Sequence, residues 1–176
     1  MLLGHRSHRA QAMLEFALAL PIFLLVVYGL MEASRWIFTI ASVSTASREA
    51  ARYASASGIN AAGNLNYQDC AAIRNAAQSV GFLLNLSDSD IRIYFDDESP
   101  PRTPPLPIPP ASPWVEYCTP GGVAVDTSMQ PSTGDRVAVI VSSRYAPILP
   151  LVPFSGAPIS ATSSRTITGT IDLNQH

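Results

Sequence analysis

The sequence predicts an α+β protein: a long N-terminal membrane-spanning helix followed by a small outer head with a second helix and a small antiparallel sheet. Three observations carry this. An apolar run fills residues 16–31, an Ala-rich segment free of Pro and Gly follows at 36–57, and short alternating apolar segments recur after residue 90. Removing the helix from the 176 residues leaves enough chain for one small head.

The apolar run sets the compartment. Residues 16–31 reach about 24 Å as a helix and residues 10–31 about 33 Å, and the longer span matches the hydrocarbon core of a bilayer. Arg6 and Arg9 precede it, while Glu32 and a single Arg35 follow. This asymmetry places the N-terminus in the cytoplasm and the head outside, so the cytoplasmic membrane is the expected location. A cleavable secretory signal begins in the same way, but Ala17-Leu18-Ala19 falls too early for its cleavage site and Ala54-Ser55-Ala56 too late.

Residues 1–10 read as a basic leader and 11–57 as one continuous rod. In the outer part of the rod, Ile37, Ile40, Ala41, Ser44, Ser47, Ala51 and Ala54 form an apolar-to-small stripe expected to face the head. Glu49 and Arg52 have the spacing of an exposed helical ion pair. With Arg48 they read as a solvated face rather than a binding cluster. Gly58, Asn60, Gly63 and Asn64 end the rod.

Residues 58–176 read as the outer head. Its second helix is expected over residues 69–84, with Asp69 at the cap and Ala72, Ile73, Ala76, Ala77, Val80, Leu83 and Leu84 on the apolar face. Residues 91–95, 136–142 and 159–167 alternate as strands, with a short fourth near 115–117. A Pro-rich insertion at 100–113 is excluded from helix and reads as a semi-rigid spacer. A second loop, 145–154, is so apolar that it needs cover from the head, a neighbouring subunit or the membrane surface.

Cys70 and Cys118 are the two cysteines, and both fall on the outer side. An oxidising compartment predicts a disulfide between them, against the alternative of two buried thiols.

No enzyme is expected. The histidines are His5, His8 and His176, leaving the serines of the head without a catalytic partner. Asp96-Asp97-Glu98 lacks the ligand spacing of a calcium loop and reads as a solvated strand end, and Gly121-Gly122 reads as a turn. No metal and no cofactor are anticipated. The formal net charge of −2 gives no electrostatic reason to expect nucleic acid as a partner.

Two residues within the apolar region need a purpose. Glu15 is an acid at the edge of the span, where a carboxylate would cost about 2.5 to 3.5 kcal/mol at full depth. It either meets water among the headgroups or finds a partner. Pro21 removes a helical hydrogen bond and predicts a kink or a local melting point.

The segment Gln11-Ala12-Met13-Leu14-Glu15-Phe16-Ala17-Leu18-Ala19-Leu20-Pro21 resembles the TadE-like family, minor pilins or pseudopilins of the tight-adherence (Flp-type) type IV pilus system. Ala46-Ser47-Arg48-Glu49-Ala50-Ala51-Arg52-Tyr53-Ala54 is similar to the outer half of that family's helix, and residues 137–154 are similar more loosely.

The resemblance implies a pilin-like head and a cut by a prepilin peptidase between Ala10 and Gln11, with Ala10 standing where the commoner pattern has Gly. It implies assembly through Glu15, Phe16 and Pro21 with other pilin-like subunits and the tight-adherence assembly machinery, for pilus biogenesis, secretion and surface adhesion. The cut would create an α-amino group with a reference pKa of about 7.7 to 8.0, a cation that Glu15 of an adjoining subunit could neutralise. A second reading keeps the chain as an uncleaved single-pass envelope protein whose head binds an envelope or secretion component.

Overall fold

A computed structural model describes residues 4–59, 63–96, 114–118, 131–148, 156 and 158–169, with side chains described from residue 11 onward and that of residue 82 excepted. The Pro-rich insertion, Asp97, Glu98, Gly121-Gly122 and residues 149–154 of the apolar loop lie outside the described residues.

The rod is a single α-helix, α1 (Gly4–Ser55), longer than expected at its start and slightly shorter at its end. It runs without a break across the junction of Ala10 and Gln11 and through Pro21, so the backbone does not melt at the proline. At the far end, Thr168 closes the helix. Its backbone N–H and its hydroxyl both donate to the Ser55 carbonyl, at 3.1 and 3.0 Å, satisfying an acceptor that the helix leaves orphaned.

The second helix, α2 (Cys70–Val80), is capped by Asp69, whose carboxylate accepts from the Ala72 N–H at 2.9 Å. It stops at Gly81, earlier than the apolar pattern suggested, and the chain tightens into a 3₁₀ turn at Phe82–Leu84. Its inward face is Cys70, Ile73, Arg74 and Ala77, whereas Val80 and Leu83 are exposed.

Four strands follow: β1 (Ile91–Asp96), β2 (Val115–Cys118), β3 (Arg136–Arg144) and β4 (Pro158–Thr166). They form one antiparallel sheet in the order β2-β1-β3-β4. Register aligns the core. Ile91 faces Val141, Ile93 faces Val139 and Phe95 faces Val137, and these side chains meet the rod and α2 on one side of the sheet. The alternate residues Tyr94 and Ala138 form a smaller cluster with Trp114 on the other side.

The rod packs on this sheet through small residues. Ala46, Ser47, Ala50, Ala51 and Ala54 are all buried, with Val43 at the lower end. The expected stripe therefore holds in its outer part, at Ser47, Ala51 and Ala54, and the buried set widens to Ala46 and Ala50. Ile37, Ile40 and Ala41 are exposed, because the head's apolar contact with the helix begins at Val43. Short side chains let helix and strands approach closely, and the aliphatic residues on the sheet fill the layer between them.

Candidate functional site: the rod and its junction with the head

Below Val43 the rod is an exposed apolar cylinder. Met13, Leu14, Phe16, Leu18, Ile22, Phe23, Leu24 and Leu25 all face outward. Within the described residues this is the one helix long and apolar enough to cross a membrane, which points to a membrane anchor.

Glu15 sits near the start of that cylinder with Gln11 one turn before it. The Gln11 side-chain amide donates to Glu15 Oε1 at 3.0 Å. The helix thus places both residues on one exposed face. Phe16 is exposed beside them, while the Ala10 side chain lies outside the described atoms. Glu49 and Arg52 form the expected surface pair, with Arg52 Nε donating at 2.9 Å, and this hydrogen bond holds the Glu49 carboxyl below its ordinary value.

Glu32 has a larger role than a charge in the flanking count. The chain leaving β3 turns back along the rod at residues 145–148 and surrounds the carboxylate. The Tyr145 hydroxyl donates to Glu32, the Ile148 N–H donates to Oε1 at 2.9 Å, and Arg35 lies 3.3 Å from the same oxygen. Arg35 also stands over the Tyr145 ring, 5.8 Å from its centroid. The base of the loop is closed by the Gly156 N–H, which donates to the Tyr145 carbonyl at 3.0 Å. Hydrogen bonding to Glu32, the largest influence, holds the Tyr145 phenol above its usual value. The sequence held one hint of this clasp: a polar-tipped Tyr opening an apolar loop.

The disulfide joins Cys70, the first residue of α2, to Cys118, the last of β2, with Cα atoms 5.8 Å apart. Beside it Arg74, only 2 % exposed, donates from Nη2 to the Cys118 carbonyl at 3.0 Å. A charged residue on the inner face of α2 was not anticipated. The backbone carbonyl accepts one of its hydrogen bonds, and its aliphatic stem packs as an apolar group would.

Asp96 corrects a second expectation. It is not a solvated strand end: it is fully buried, directly opposite Arg136 in the β1–β3 register, with Oδ2 3.6 Å from Arg136 Nη2. Arg136 in turn stacks on Trp114, 5.4 Å from the ring centroid. At the sheet edge, Arg92 Nε donates to Glu116 Oε1 at 2.9 Å as part of a paired contact. Among the described residues no group of three or more His, Cys, Asp or Glu side chains is gathered to hold a metal ion.

Residues 10–52 match the family described as TadE-like protein. The matched segment covers the Gln11–Glu15 pair, Pro21, Glu32 and most of the helix–sheet contact. No curated protein and no solved structure matches the chain.

Proposed function

With a TadE-like rod over residues 10–52 as its premise, we propose that this chain is a non-enzymatic, pilin-like subunit of a tight-adherence pilus or secretion filament. It waits in the cytoplasmic membrane, anchored by α1 with its N-terminus inside and its head outside, and enters the filament through the rod. A prepilin peptidase cuts between Ala10 and Gln11. The new α-amino group then belongs to the residue one turn from Glu15.

The observation that carries this reading is the bare rod: an apolar helix with the Gln11–Glu15 pair exposed on it. A carboxylate in that setting is held at a cost unless a cation neutralises it. The processed N-terminus of an adjoining subunit is such a cation. Desolvation of both charges makes the pair a determinant of register more than of stability. The head, linked to the rod by its small-residue contact and the Glu32 clasp, is carried to the filament surface as a rigid attachment and contributes to adhesion.

Glu15→Ala tests the assignment. Membrane insertion should be unaffected while incorporation into filaments is lost. Normal incorporation of the variant would favour a permanent anchor whose head binds an envelope or secretion component.

A further inference from the structure

The apolar surface of the rod does not stop at Glu32. Trp36 is 49 % exposed, Ile37 64 % and Ile40 41 %, and the apolar contact with the head begins only at Val43. From Met13 to Ile40 the exposed apolar surface runs for about 42 Å along the axis. A bilayer with its interfacial layers is about 40 to 45 Å thick. The whole bare cylinder therefore fits a membrane, and its outer end lies in the headgroup region or just beneath it.

Glu32 falls inside that belt, about 16 Å below Val43 along the helix. An ionised carboxylate there needs donors, because lipid supplies none. The turn at residues 145–148 brings them. The Tyr145 hydroxyl and the Ile148 N–H both donate to Glu32, and Arg35 pairs with it from the rod. Having delivered its polar groups inward, the turn presents Ile148 outward, 60 % exposed, at the level of the apolar belt. Tyr145 and Trp36 are side chains of the kind that settle at a membrane interface, with an apolar body and a polar tip.

We propose that the Tyr145–Ile148 turn is a lipid-docking element: it hydrogen-bonds Glu32 from the head side and places Ile148 against the acyl chains of the outer leaflet beside the rod. The occupant of this surface is the bilayer, because the exposed Ile148 is continuous with the membrane-facing surface of α1. Before assembly the head is thus seated on the membrane rather than held clear of it. The inference rests on the reading of α1 as a membrane span.

The test uses the full chain in vesicles of phosphatidylethanolamine and phosphatidylglycerol, with the native disulfide intact. An environment-sensitive fluorophore is attached to Ile148→Cys and, in separate chains, to Leu24→Cys and Ile59→Cys. Leu24 marks the span, and Ile59, exposed beyond the end of α1, marks the aqueous side. The label at 148 should be blue-shifted and lose most of its emission to nitroxide lipids, as at 24, while the label at 59 responds only to a water-soluble quencher. Lipid quenching at 24 with water quenching at 148 would overturn the docking element and leave the span intact. Lipid quenching at neither position would overturn the span and the inference with it. A label at 148 shielded from both quenchers and close to its counterpart in another chain would assign the surface to a second copy, and would equally overturn it.

Discussion

Tyr145 donates its phenolic hydrogen to the carboxylate of Glu32, tying the turn after β3 to the rod across 113 residues of sequence. This bond, with the Ile148 N–H beside it, fixes the head to the helix well below the small-residue contact at Val43 to Ala54. It gives the head two points of attachment, and two attachments define an orientation where one permits swivelling.

Tyr145→Phe removes the hydroxyl and keeps the ring. The amides of residues 145–148 should exchange with solvent faster in the variant, while global unfolding by denaturant stays unchanged. Exchange as slow as in the parent chain would show that the turn is held by other contacts.

The bridge between Cys70 and Cys118 closes a loop with a sequence separation of 48. Its removal by Cys70→Ser with Cys118→Ser should lower the stability of the head by about 4 kcal/mol in the chain-entropy account. Denaturant midpoints of the parent and the double variant, compared without reductant, measure this. A loss below about 1 kcal/mol would mean that the unfolded chain is already restricted around the site.

Asp96 is buried opposite Arg136. Asp96→Ala removes a buried carboxylate from beside Arg136 and should destabilise the head by about 1 to 3 kcal/mol, the usual cost of losing a buried polar contact. Arg92→Ala at the sheet edge breaks a solvent-exposed contact with Glu116 and should cost no more than about 1 kcal/mol. Chemical denaturation of the two variants side by side tests the contrast.

Ala50 is fully buried where the rod meets the sheet. Ala50→Leu should overpack this layer and destabilise the head by about 1 to 3 kcal/mol, read from the same denaturation curves. Ala41→Leu, at an exposed position just below the contact, should leave stability within about 0.5 kcal/mol of the parent.

Local features of this chain were legible before the fold was known. The rod, the Asp69 cap, all four strands and the disulfide rest on periodicity, capping chemistry and compartment, and each is present. What escaped depends on contacts between distant segments. The lower limit of the buried stripe on α1 could not be read because Ile37 and Ile40 are as apolar as core residues, and only the position of the head shows that its apolar contact stops at Val43. Arg74 was absent from the expected inner face of α2, and only the fold brings the Cys118 carbonyl beside it. Asp96 was within reach: pairing Phe95 with Val137 puts it opposite Arg136, so an assigned register would have found its partner. The Glu32 clasp left only the hint of Tyr145 at the start of an apolar loop, since no periodicity relates a helix residue to a turn 113 positions later. Gln11, expected at the processing site, and Glu15, expected in assembly, lie one helical turn apart on the rod. Pro21 sits in an unbroken helix, where neighbouring turns keep the backbone bonded.

The central claim is that this rod is a processed pilin helix, and the intact and peptide mass of membrane-extracted protein tests it most directly. Mass is preferred to stepwise N-terminal degradation because a new N-terminal Gln11 can cyclise and block that chemistry. The account predicts a mature chain beginning at Gln11. A stable chain that keeps residues 1–10 in cells with an active prepilin peptidase would contradict it.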